Sequence, residues 1–167
     1  MSQTIDDFRD FFKPKKESVQ ITVKEIIDKT AAMVQSSLKN NSIALSVSGE
    51  LDTVLQTYDK ELIQVLINII SNAKDALKSS EREDKKIQIA VAREQKQLTI
   101  SIQNNGEQIQ PKNLSRVFDP YFTTKDEKNG TGLGLYMAKS IIEKHMKGSI
   151  DVSNKEGWVV FTVRIPI

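Results

Sequence analysis

Two spacings of apolar residues alternate along the chain. Ile5, Phe8 and Phe12 recur at i, i+3 and i+7, the stripe of a short helix. It stops before Pro14, because the residue ahead of a proline is driven out of helical geometry. Residues 18–23 (SVQITV) alternate like a strand, 23–38 carry a helical period, and 44–49 (ALSVSG) again read as a strand. A long helix is predicted from about Asp59 to Ser79. The stretch KKIQIAVAREQKQLTISIQNNG holds two alternating runs joined at Glu94–Lys96 and predicts an antiparallel hairpin. Between Gly106 and Gly130 neither period holds, and so long a stretch without pattern inside a compact domain is usually functional. A helix from about Gly132 to Lys147 follows, and GSIDVS with WVVFTVRIPI predict a second hairpin turning at Asn154–Gly157. Strands arriving as hairpins, with helices between them, predict an α+β two-layer sandwich: a mixed, mostly antiparallel sheet covered on one face by helices.

Composition narrows the function without fixing it. The 167 residues fit one domain, and 38% apolar content supplies one core. A formal net charge of +2 gives no single-sign field, so neither nucleic acid nor a membrane surface is the expected partner. No apolar run reaches the roughly 18 residues that span a bilayer. Zero cysteines exclude disulfides and thiolate metal sites, and a single histidine cannot form a histidine cluster.

Two segments carry unusual chemistry. In ELIQVLINIISNAKDALKSS, residues Gln64, Asn68, Ser71, Asn72 and Asp75 fall at i, i+4, i+7, i+8 and i+11, which is one narrow stripe on a helix otherwise rich in Leu, Ile and Val. A solvated stripe normally carries Lys and Glu; carboxamides are poorer helix formers but good ligands for polar molecules, so the stripe reads as the wall of a polar cavity. In NGTGLGLYMAKSII, Gly130, Gly132 and Gly134 crowd the start of a helix, where glycine is costly unless the backbone turns sharply or a ligand comes close. Exposed N–H groups there suit an anion such as a polyphosphate. Four of the chain's seven glycines lie within 106–134, which marks that window. Between the glycines, VFDPYFTTK offers aromatic anchors, hydroxyls and a cation.

Taken in order, these features resemble the catalytic and ATP-binding domain of bacterial two-component sensor histidine kinases. LIQVLINIISNAKDAL is similar to that family's N box, IQNNGEQI to its first glycine box, VFDPYFTTK to its F box and GTGLGL to its second glycine box, while FTVRIP is similar to its last strand. The resemblance covers about residues 15–167. It implies the Bergerat-type sandwich shared with gyrase, the Hsp90 chaperones and the MutL repair proteins, with a mobile ATP lid at about 107–130. Residues 1–14 resemble the end of a dimerisation and phosphoacceptor helix.

The resemblance also implies a set of roles. ATP and Mg²⁺ would be the cofactors, with Asn72 holding the metal and Asn68 one turn earlier near the same phosphates. Lys125, Thr124, Gly130, Thr131, Gly132, Leu133, Gly134 and Leu135 would surround the phosphates, Lys125 with a catalytic role. Phe118 and Phe122 would anchor the lid, Asn104, Gly106 and Ile109 would line the adenine pocket, and Thr162 on the closing strand would complete the set. The implied function is a kinase that transfers the γ-phosphoryl group of ATP to a histidine on dimerisation helices, in two-component signalling with a response regulator, in the cytoplasm, either free or as the cytoplasmic part of a membrane-anchored receptor. A nucleotide-responsive interaction module, or an ATPase or serine kinase of the same superfamily, would use the same fold.

Two observations shape that reading. Relatives that hydrolyse ATP place a glutamate where this chain has Asn68, and an amide cannot serve as a general base near neutral pH. Transfer to another side chain therefore fits better than rapid hydrolysis. The first glycine box of the family reads Asp-x-Gly-x-Gly, and here those positions are Asn104, Gly106 and Gln108. His145 follows the second glycine box, near a helix end that favours a cation, and is not the expected phosphoacceptor.

Overall fold

The computed structural model describes residues 17–123 and 132–167. Its elements are β1 (Val19–Thr22), α1 (Val23–Asn40), β2 (Ala44–Gly49), β3 (Val54–Thr57), α2 (Asp59–Lys78), β4 (Lys86–Glu94), β5 (Gln97–Asn104), a 3₁₀ turn (Pro111–Asn113), α3 (Gly134–Ser140), β6 (Ser149–Lys155) and β7 (Trp158–Pro166). Five strands form one sheet in the order β2-β4-β5-β7-β6, and β1 pairs with β3 in a separate two-stranded ribbon. The β2–β4 pair is parallel and the other pairs of the sheet are antiparallel, which is the mixed, mostly antiparallel sheet the sequence predicts.

Alternation builds the core. Leu98, Ile100, Ile102 and Asn104 of β5 are buried on one face, as are Val159, Phe161, Val163 and Ile165 of β7. Against that face α2 sets Leu62, Val65, Leu66, Ile69, Ile70, Ala73 and Leu77, all at or below 1% exposure. Fully burying one such aliphatic side chain stabilises by roughly 1.5–3 kcal/mol, so α2 is a fixed rail rather than a surface helix. Its opposite stripe is thereby held in one orientation. α1 begins where Thr22 accepts a hydrogen bond from the Glu25 N–H at 3.1 Å, an N-cap in the spacing T-x-x-E.

The predicted elements return with three differences. β3 has too few residues to show a period, and it exists because β1 pairs with it from Val19↔Thr57 to Thr22↔Val54. The last helix starts at Gly134 rather than Gly132, since Gly132 has φ +75°, outside helical geometry. It then widens into a π turn over Ile141–His145, with the Met146 N–H donating to Ile141 O. Asn154 belongs to β6, so the second hairpin turns at Glu156 and Gly157, with φ of 51° and 87°. Residues 1–14 and the sequence-predicted helix within them lie outside the described residues.

Candidate functional site

The polar stripe of α2 faces a groove. Asn68, Ser71, Asn72 and Asp75 line a cleft of about 1210 Å³, whose other wall comes from residues 107–110, 112, 113, 116 and 117, with Phe122, Thr123, Gly132, Gly134 and Leu135. Gln64 falls outside this lining and is exposed; its Nε2 donates to Asn68 Oδ1 at 2.8 Å. Asn68 Nδ2 in turn donates to Gly134 O at 3.0 Å, so this carboxamide joins α2 to the first residue of α3. Asn72, one turn further along, has no such protein partner among the described residues and presents its amide to the groove. Among the described residues the two asparagines therefore differ: Asn68 is bonded to the opposite wall, and Asn72 lines the groove without a protein hydrogen bond.

Glycines set the shape at both ends. Gly106 follows β5 where its N–H donates to Asn104 Oδ1 at 2.9 Å, and a Cβ there would lie 3.1 Å from the Ala76 carbonyl on α2. The chain passes tightly across the helix at that point. Gly132 meets Tyr121 even more closely: the Tyr121 N–H donates to Gly132 O at 2.8 Å, and a Cβ on Gly132 would lie 2.4 Å from Tyr121 C. Tyr121 itself has φ +66° while exposed at 71%. Strain of this kind in a non-glycine residue persists where surrounding structure over-determines it, often beside functional sites.

The groove is chemically two-ended. Asn68, Ser71, Asn72, Gly132 and Gly134 supply hydrogen-bonding groups at one end, while Ala76, Ile109 and Val117 supply an apolar surface toward the other. Lys78, Lys112 and Arg116 bring positive charge to the lining and Asp75 and Glu107 negative charge. Such a site suits a ligand with a flat apolar part and a polar, anionic tail.

Comparison with known proteins decides the family. The model of the histidine kinase-, DNA gyrase B- and HSP90-like ATPases matches residues 57–167. The chain belongs to this family. The two-component sensor PprA of Pseudomonas aeruginosa is 38% identical over 111 residues, 64% of this chain and 12% of that protein. Sporulation kinase A of Bacillus subtilis is 31% identical over 158 residues, 92% of this chain and 25% of that protein. The solved catalytic domain of histidine kinase ThkA superposes with a TM-score of 0.80 at 30% identity, covering 90% of this chain and 98% of that one. The chain therefore matches a whole catalytic domain while spanning 12% and 25% of the two curated relatives.

Within this histidine kinase-type ATPase fold, the sequence-predicted residues separate into groups. Asn68, Asn72, Ile109, Phe122, Gly132, Gly134 and Leu135 meet at the groove. Asn104 and Gly106 lie beneath its apolar end, Asn104 at 1% exposure. Phe118 turns inward: its ring meets Phe161 edge-on at 6.1 Å, with Lys139 Nζ 5.1 Å from its centroid, so it anchors the segment to the core. Leu133 is buried behind the glycine turn at 7% exposure. Thr162 is a correction. The alternation of β7 buries Phe161 and Val163 against the helices and turns Thr162 to the opposite face of the sheet, away from the groove. Thr124, Lys125, Gly130 and Thr131 lie outside the described residues.

Three residues at or behind the groove were not singled out from the sequence. Arg116 sits 4.7 Å from the Phe122 ring centroid and lines the groove. Asn154 pairs with the Ile109 backbone from β6. Asn105 is buried at 4% exposure and bridges Lys86 N and Asp84 O with its amide, tying the start of β4 to the segment before it. His145 lies on the π turn with Nδ1 2.7 Å from Glu61 Oε2, outside the groove lining.

Proposed function

We propose that this chain binds Mg-ATP in the groove and is the kinase domain of a sensor histidine kinase, passing the γ-phosphoryl group to a histidine on dimerisation helices. The observation that carries the reading is the α2 stripe, whose Asn72 has no protein partner among the described residues and lines, together with Gly132 and Gly134, a groove with one apolar and one polar end. The adenine fits between Ala76 and Ile109, and the phosphates fit between Asn72 and Gly132. Asn72 suits Mg²⁺: its amide oxygen is a hard donor, and no group of three or more acidic or histidine ligands occurs among the described residues. That donor set matches a cation that arrives on phosphate oxygens and keeps few protein ligands. When bound, Mg²⁺ would neutralise phosphate charge. Asn68 holds Gly134 and so keeps the turn's N–H groups aimed at the phosphates, while the absence of a carboxylate at that position leaves water unactivated. Phosphoryl transfer then depends on positioning and charge rather than on a protein base at α2.

ThkA has been solved with the response regulator TrrA, and we extend the same class of partner to this chain through the full kinase. With γ-labelled ATP, the chain alone is expected to take up no acid-labile phosphate. Placing a histidine-bearing dimerisation hairpin ahead of it is expected to yield acid-labile phosphate on the hairpin. Label on the chain itself that disappears in His145→Ala would contradict the assignment.

The base end makes its own prediction. Asn104 Oδ1 already accepts from Gly106 N–H. An aspartate would keep that bond and bring a second, charged oxygen into a buried place. A charged hydrogen bond is worth about 1.5–3 kcal/mol against about 0.5–1.5 for a neutral one, so Asn104→Asp is expected to tighten ATP about tenfold. Burying the new charge without nucleotide should lower the melting temperature of the free chain. Calorimetric titration and a thermal melt read the two effects separately; unchanged or weaker ATP binding would remove Asn104 from base recognition.

A further inference from the structure

Among the described residues, Asn154 is the side chain of the sheet that reaches across to the groove wall and binds its backbone at two points. The Ile109 N–H donates to Asn154 Oδ1 at 3.1 Å, and Asn154 Nδ2 donates to Ile109 O at 2.6 Å. A carboxamide paired this way imitates one rung of a strand ladder, so it fixes both the position and the direction of the peptide it holds. Its own placement is rigid. Asn154 pairs with Val159 in the β6–β7 register, one residue before the hairpin pair Lys155↔Trp158. The tight turn at Glu156 and Gly157 closes that hairpin.

The segment it holds has few other anchors. Between Gly106, pressed on Ala76, and the 3₁₀ turn at Pro111–Asn113, residues 107–110 make no strand or helix, yet all four line the groove. Ile109 is the apolar member of the four and packs against the core. Without the Asn154 pair, its peptide would exchange two protein partners for water and the wall would lose its fixed distance from α2.

We propose that Asn154 is a positioning residue for the base end of the nucleotide site, holding Ile109 so that the apolar wall stands at a fixed separation from Ala76. This rests on the nucleotide reading of the groove. Asn154 does not line the groove, so it acts through Ile109 and leaves the phosphate end alone.

The test compares two probes on the purified chain in Mg²⁺: ATP, which uses both ends, and inorganic tripolyphosphate, which uses only the polar end. Asn154→Ala is expected to weaken ATP about tenfold, the scale of losing two neutral hydrogen bonds, and to leave tripolyphosphate affinity within about twofold of the parent. Asn154→Asp keeps the volume and the bond from Ile109 N–H while losing the bond to Ile109 O. It is expected to show the same split in a chain whose packing is otherwise intact, which covers the case of an alanine variant that does not fold. Equal losses for both probes would reduce Asn154 to a general stability role and overturn the inference, as would parental ATP affinity in both variants. Failure of the parent to bind ATP would instead overturn the nucleotide reading, and this inference with it.

Discussion

Gly132→Ala is expected to lose nucleotide binding by on the order of 100-fold, while Gly134→Ala, two residues on, retains a folded chain of equal or greater stability. The contrast comes from the backbone. Gly132 has φ +75°, and a Cβ there would stand 2.4, 2.6 and 2.7 Å from the C, Cα and O of Tyr121. A left-handed conformation alone costs a non-glycine residue roughly 1–2 kcal/mol. The contact adds to this and cannot be relieved by a side-chain rotation, since all three atoms are backbone. The turn must therefore move away from Tyr121, breaking the bond from Tyr121 N–H to Gly132 O at 2.8 Å. Each charge-assisted hydrogen bond lost between the turn and a phosphate costs about 1.5–3 kcal/mol, so a displaced turn is enough for a loss on the order of 100-fold. At Gly134 the nearest atoms to a built Cβ are Asn68 Cγ and Cβ at 3.8 and 3.9 Å, which is ordinary contact. Alanine there gains up to about 1 kcal/mol of helix propensity. Thermal unfolding and nucleotide titration of both variants distinguish a conformational glycine from one that only leaves room. Parental binding by Gly132→Ala would show that the turn is not part of the site.

Much of this was legible in the sequence, because period and burial are linked by covalent geometry. Alternation in β5 and β7 indicated the sheet, and the unbroken apolar residues of α2 indicated the rail on which Asn68 and Asn72 sit. What the sequence could not show is pairing at long range. β3 is visible only through its partner β1, 35 positions from Val19 to Val54. Asn154 reads as a turn former, since Asn and Gly three residues apart suggest one, and its hold on Ile109 depends on two strands meeting a loop 45 residues away. Thr162 failed for a simpler reason. The closing strand was read as a unit, although period 2 sends neighbouring residues to opposite faces. Asn68 and Asn72 share one stripe, and the family resemblance already implies different roles for them; the structure adds that Asn68 is bonded to Gly134 O.

That difference sets the second large effect. Asn72→Ala removes no protein hydrogen bond among the described residues, so the fold should be unharmed; alanine is also the better helix former by up to about 0.7 kcal/mol. Whatever is lost is then lost from the ligand. A hydrogen bond or coordination contact to a charged group is worth about 1.5–3 kcal/mol, or roughly 10- to 100-fold in affinity. Asn68→Ala is the useful counterpart, because it releases both Gln64 and Gly134 and should lower stability and binding together. Circular dichroism melts beside binding isotherms separate the two cases.

The most direct measurement is therefore a calorimetric titration of the chain with ATP, in Mg²⁺ and again with the metal chelated, for the parent and for Asn72→Ala. The account predicts a Kd on the order of micromolar for the parent in Mg²⁺. It predicts marked weakening on chelation, and a variant that melts like the parent but binds at least about tenfold more weakly in Mg²⁺. No detectable binding by the parent in Mg²⁺, or an Asn72→Ala isotherm that overlays the parent's, would contradict it.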